Sequence, residues 1–116
     1  MEFIDMLNHP SRTFSPMPFW FLNGDLNDDE LRRQLRDFDR HGIHGVVLHP
    51  RIGLRPDIAY LSEAFFRYIR VAVEEAAALD MRVVLYDEGM YPSGSACGQV
   101  VEGHPALASR SDRKRR

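Results

Sequence analysis

Three short apolar runs, Met17–Leu22, Ile43–Leu48 and Met81–Tyr86, alternate with two segments of helical periodicity, and this alternation is the strongest constraint on the fold. The first run, Met17-Pro18-Phe19-Trp20-Phe21-Leu22, is continuous and ends at Asn23-Gly24. Unbroken apolar character predicts a strand buried on both faces, the habit of parallel sheets covered by helices. The first helix is announced by Asn27 as cap. Glu30 would complete a capping box, Asp28 and Asp29 suit the positive end of the dipole, and Leu26 and Leu31 stand at staple positions. Leu31, Leu35 and Phe38 form its apolar stripe, and Gly42 stops it. Ser62 caps the second helix, with Leu61 and Phe66 at staple spacing and a stripe of Phe65, Ile69, Ala72, Ala76 and Leu79. The order β-α-β-α-β with short connections predicts right-handed crossovers in one parallel sheet. The fold class is α/β. Residues 1–16 form an irregular lead-in, 17–108 the α/β domain, and 109–116 a basic tail expected to be disordered.

Charge narrows the function. The chain has 15 basic and 17 acidic residues, but Arg110–Arg116 (RSDRKRR) holds five of the bases and one acid. The body is therefore acidic, which argues against a nucleic-acid-binding surface. The opening MEFIDMLNHPSRTF lacks a secretory pattern and no apolar stretch approaches a membrane span, so no membrane partner and a cytoplasmic location are expected. The single cysteine, Cys97, excludes an internal disulfide and a thiolate zinc cluster, and is expected to be a small buried thiol.

In parallel α/β architectures, reactive groups collect at the C-terminal ends of strands. Those ends carry Asn23 and Asp25, then His49 and Arg51, then Asp87 and Glu88 with Tyr91 and Ser93 beyond. Glycoside hydrolysis uses two carboxyl groups, which directs attention to Asp87-Glu88. Adjacent residues leave a strand on opposite faces, so the two do not form a facing pair. His44 and His49 differ by five and His41 closes a helix at the other end, so a shared metal is not expected. Gly94-Ser95-Ala96-Cys97-Gly98 has Ala96 where a nucleophile elbow needs serine, and there is neither a GxGxxG nor a P-loop. No cofactor and no metal are expected.

Pro18-Phe19-Trp20-Phe21-Leu22-Asn23-Gly24-Asp25-Leu26, Glu30–Leu35, and Gly42-Ile43 through His49-Pro50-Arg51-Ile52-Gly53-Leu54 together resemble a family of bacterial glycoside hydrolases. Tyr60-Leu61-Ser62, Leu85-Tyr86-Asp87-Glu88 and Tyr91-Pro92-Ser93-Gly94 fit the same family, the last two its YDE-x-x-WPSG signature. The nearest named group is the α-L-rhamnosidase-type hydrolases of family 106, long proteins with a TIM barrel followed by β-sandwich domains. The resemblance covers residues 16–107. It implies a carbohydrate substrate, catalytic positions among Glu88 and Asp87, and a sugar cleft lined by His49, Arg51, Asn23, Trp20, Tyr91 and Ser93. Tyr91 replaces the family's tryptophan but keeps an aromatic platform, Cys97 stands at a glycine position, and Asp80 replaces a helix-ending glycine.

A TIM barrel has eight units and about 250 residues, so this sequence corresponds to the first three β/α units of a partial (β/α)8 barrel. It is expected to be a fragment, inactive alone, with the opposing carboxylate on a later strand. The rival expectation is a small α/β binding module that self-associates through its open sheet edges.

Overall fold

The computed structural model describes residues 2–51 and 53–108. Its elements run α1 (Phe3–Asn8), β1 (Phe19–Phe21), α2 (Asp28–Arg40), β2 (Gly45–His49), α3 (Glu63–Ala78), β3 (Arg82–Leu85) and α4 (Gln99–Gly103), with 3-10 turns at Arg12–Phe14, Ser93–Ser95 and Pro105–Leu107. The strands form one parallel sheet in the order β1-β2-β3. The expected α/β alternation is present as an open three-stranded sheet. The lead-in is less irregular than its prolines suggest, because it contains α1. The basic tail 109–116 lies outside the described residues. No described helix is long and apolar enough to cross a membrane.

Both long helices begin and end for identifiable reasons. Asn27 Oδ1 accepts from the Glu30 amide at 2.8 Å, and Ser62 Oγ from the Phe65 amide at 3.1 Å. The capping box is not completed. Glu30 turns instead to Arg33 and Gln34, at 2.8 Å each, and Arg33 first and Gln34 second lower its pKa to about 2. At the other end of α2, Gly42 adopts φ +79°, its amide reaches the Asp39 carbonyl, and Ile43 N–H bonds the Phe38 carbonyl at 2.9 Å. This paired closure satisfies carbonyls that the helix leaves open. α3 closes in the same way with Asp80 at φ +53°, and Met81 N–H bonds the Ala76 carbonyl at 2.8 Å.

The two helices cover one face of the sheet. Leu31 and Leu35 of α2 and Phe65, Val71, Ala72 and Ala76 of α3 are buried, together with Trp20, Leu22, Val46, Leu48 and Met81. Phe38, Ile69 and Leu79, the other expected stripe positions, pack against this core half-buried. The helices are joined across their outer edges by Arg36–Glu75 at 2.6 Å and Arg67–Asp28 at 3.0 Å. The other sheet face carries no helix among the described residues. β1 is therefore not buried on both faces as its composition suggests. Trp20 is enclosed while Phe19 is 58% exposed. The α3 staple also fails: Leu61 takes φ +62°, and both it and Phe66 remain exposed.

Arg12 ties the lead-in to the underside of this layer. Its Nη2 donates to Asp39 Oδ1 at 2.9 Å and to the Leu79 carbonyl at 2.7 Å, while His44 Nδ1 lies 3.0 Å from the same carboxylate oxygen. The Arg12 guanidinium, and His44 after it, hold the Asp39 carboxyl below the usual range. A depressed carboxyl contributes stability above its unfolded pKa and loses it as pH falls through its folded one. The stability gap between the native chain and Arg12→Ala is therefore expected to be constant well above the ordinary aspartate pKa of about 3.9 and to narrow as pH falls below it; urea titrations at stepped pH measure it. Asp80→Gly is expected to raise stability by about 1 kcal/mol at most, since glycine enters the left-handed region without penalty, and thermal melts of the two chains test this.

Candidate functional site

Side-chain parity along the strands decides what reaches the uncovered face. Trp20 pairs in register with Leu48, and Leu48 with Leu85; these point toward the helices. Phe21 pairs with His49, and the Tyr86 amide continues the ladder by donating to the Leu48 carbonyl at 3.0 Å. Phe21, His49 and Tyr86 therefore lie side by side on the uncovered face. The His49 ring centroid is 4.5 Å from Phe21, 5.3 Å from Phe19 and 4.1 Å from Tyr86. Two residues further on, the same parity leads to Arg51 and Glu88, a polar tier above an aromatic one.

Within the polar tier, Glu88 is the most constrained group. Tyr86 Oη donates to Glu88 Oε2 at 3.1 Å, and Arg51 Nη1 stands 3.7 Å from the same oxygen. The Glu88 side chain is 16% exposed and that of Arg51 41%, so the carboxylate is recessed and the guanidinium open. Arg51 also lies 5.9 Å from the ring centroid of Tyr91, which is 71% exposed and follows the tier across a loop. A recessed acceptor, an open donor and an exposed aromatic ring make a surface suited to a small ligand with hydroxyl groups and an apolar face.

That loop is tightly built. Tyr60 Oη donates to the Asp87 carbonyl at 2.6 Å, and Gln99 Nε2 to the Tyr60 carbonyl at 2.6 Å. A Cβ on Gly89 would run into the Tyr60 ring and Cys97 Sγ, so glycine is required there by close approach. Cys97 is exposed, contrary to the expected buried thiol, because it sits at φ +58° on a loop and not under a helix.

The structure brings His49, Arg51, Glu88 and Tyr91 together and separates other expected residues from them. Trp20 is 7% exposed beneath α2; its Nε1 donates to Gln34 Oε1 at 2.8 Å and its ring meets Phe38 edge-on at 5.8 Å. It is a core residue and no sugar platform, because even parity in β1 is helix-facing. Asp87, two residues beyond Leu85, falls on the same face of the sheet and lines an apolar hollow of about 190 Å³ with Phe65, Phe66 and Leu85. Asn23 is exposed against the Gly53 turn, where a glycine Cβ would strike it. Ser93 opens the 3-10 turn after the cis Tyr91–Pro92 bond, with no hydrogen bond to Arg51 or Glu88 among the described residues. His41 bonds the Asp37 carbonyl and His44 the Asp39 carboxylate. Phe19, Phe21 and Tyr86 were missed as site residues, although counting back by two from Glu88 and Arg51 reaches Tyr86 and His49.

Comparison with family models, with curated proteins and with solved structures finds none that matches this chain.

Gln34 is the hinge of the polar chain Trp20–Gln34–Glu30–Arg33, and among the described residues it supplies the one acceptor of the buried indole. Gln34→Leu is expected to cost about 1–3 kcal/mol by leaving that N–H unpaired. Urea unfolding followed by the emission of Trp20, the chain's single tryptophan, measures the loss.

Proposed function

We propose that these three β/α units are a sector of a glycoside hydrolase barrel acting on O-glycosidic bonds, of the rhamnoside type or of related polysaccharide sugars. In this reading the uncovered sheet face is the inner wall of the barrel, and Glu88, Arg51 and Tyr91 are part of the sugar cleft. The observation that carries it is the placement of a recessed carboxylate, Glu88, against an open guanidinium, Arg51, at the C-terminal strand ends of a parallel sheet. The carboxylate accepts from sugar hydroxyls, the guanidinium donates to them, and the Tyr91 ring stacks on the apolar face of a pyranose. Hydrolysis needs a second carboxyl group on the far side of the glycosidic bond. Asp87 does not qualify, because it faces the helix side. The chain alone is thus expected to hold sugar weakly without cleaving it.

A second reading has its own support. Phe19, Phe21 and Val84 leave apolar surface on the uncovered face, and β1 and β3 are open edges. These favour a self-associating α/β module.

Saturation-transfer NMR with methyl α-L-rhamnopyranoside separates the two. The hydrolase-sector reading expects transfer that falls at least tenfold in Arg51→Met and in Tyr91→Ala, with no turnover of an aryl rhamnoside. Absence of transfer from this and other neutral glycosides, together with a monodisperse oligomer in sedimentation, would replace it with the second reading. Turnover abolished by Glu88→Gln would instead show that the chain is catalytically sufficient.

A further inference from the structure

His49 is the last residue of β2 and is 5% exposed, enclosed by Phe19, Phe21 and Tyr86. Its Nδ1 is fully buried and has no hydrogen-bond partner among the described residues. An unpaired polar atom in such a place is destabilising, whereas a phenylalanine of similar shape would fill the slot at no such cost. The Phe19 and Phe21 rings carry no hydrogen-bonding group, and Tyr86 directs its hydroxyl away to Glu88. Packing alone therefore does not account for an imidazole here. The cost falls directly beneath the tier formed by Arg51 and Glu88, where rules of local stability are expected to yield to binding.

We propose that His49 is a specificity-determining residue of the strand-end cleft, a preoriented hydrogen-bond donor that reads one hydroxyl group of a neutral sugar. This rests on the reading of that cleft as a sugar site. With Nδ1 enclosed, the ring meets a ligand through Nε2. In the neutral ring the tautomer with hydrogen on Nε2 leaves only a bare lone pair in the interior, a milder defect than a buried N–H without acceptor. Nε2–H then donates to a hydroxyl oxygen of the sugar, while Glu88 accepts from and Arg51 donates to its neighbours. Three rings packed against the imidazole prevent it from swinging, so little ordering is left to occur on binding. Discrimination follows from the same rigidity. A deoxy sugar lacking the hydroxyl would leave Nε2–H unpaired in a confined place, which is the situation in which polar sites reject analogues most strongly.

The decisive variants are His49→Phe and His49→Gln in the full chain. The phenylalanine removes the unpaired atom and keeps the packing; glutamine carries an amide N–H close to the position of Nε2. Affinity for methyl α-L-rhamnopyranoside, by saturation transfer and titration, is expected to fall at least tenfold in His49→Phe and to recover to within about threefold in His49→Gln. The urea midpoint of His49→Phe is expected to rise above that of the native chain. Long-range proton–nitrogen spectra of the native chain are expected to show the Nε2–H tautomer, with the Nε2 signal shifting as sugar is added. If the native chain binds sugar and His49→Phe binds it equally well, the assignment of His49 falls while the sugar site stands. If the native chain binds no sugar, the sugar site falls and the assignment falls with it. A lower urea midpoint for His49→Phe, or an Nδ1–H tautomer, would mark His49 as a packing residue and overturn the assignment.

Discussion

Everything distinctive about this chain depends on the in-register parallel pairing of β2 with both of its neighbours. Because a strand alternates its side chains, that register places Trp20, Leu48 and Leu85 together on one face and Phe21, His49 and Tyr86 on the other. A slip of one residue would drive His49 under the helices and lift Leu48 into solvent. The register is defended from the helix side. Leu35, Val46 and Ala76 are completely buried and Leu48 nearly so, and the small Ala72 and Ala76 let α3 lie close to the strands. The candidate site is in this sense a by-product of core packing, since the groups on the uncovered face are located by what their strand neighbours bury.

The periodic features were legible in the sequence. Asn27 and Ser62 cap the helices, Gly42 ends the first, and the three apolar runs overlap the three strands with ends displaced by one or two residues, β2 extending one residue past its run to His49. These are local effects, set by a side chain and the backbone within a turn of it. Asp80 shows the same legibility from the opposite direction: it stands where a glycine would be easiest and takes the left-handed conformation regardless. The misread features are those that need a third dimension. An unbroken run such as Met17–Leu22 says that a strand is apolar but not which side is covered, so Trp20 was assigned to a cleft when its parity belongs to the core. Glu30 was expected to reach back to its cap. Competition from Arg33, and from Gln34, which also accepts the Trp20 indole N–H, draws it forward.

The candidate site divides in the same way. His49, Arg51 and Glu88 could be chosen because they follow strands, and their spacing of two along β2 and from Tyr86 on β3 is enough to put them on one face. Asp87 could not be separated from Glu88 by composition; only the face does so, with one carboxylate held by a tyrosine hydroxyl and the other beside α3. Cys97 was misplaced because its apolar character was weighed without the loop that carries it.

One-sided cover explains why the aromatic tier has the composition it does. A face open to solvent in a small sheet would ordinarily be polar, and alternation of apolar and polar residues would follow. Here both sides of β1 are aromatic, yet only the Trp20 side has a helix layer against it. The rings on the uncovered side respond by packing on each other around His49, Phe19 also meeting Tyr86 edge-on at 5.9 Å. Mutual packing lowers their exposure but leaves Phe19 more than half open. It also seals the imidazole Nδ1 from water without giving it a partner among the described residues. An apolar collar around a polar atom, beneath a carboxylate and a guanidinium, is poor design for a free surface. It is coherent for the floor of a cleft whose upper wall or ligand completes the contacts.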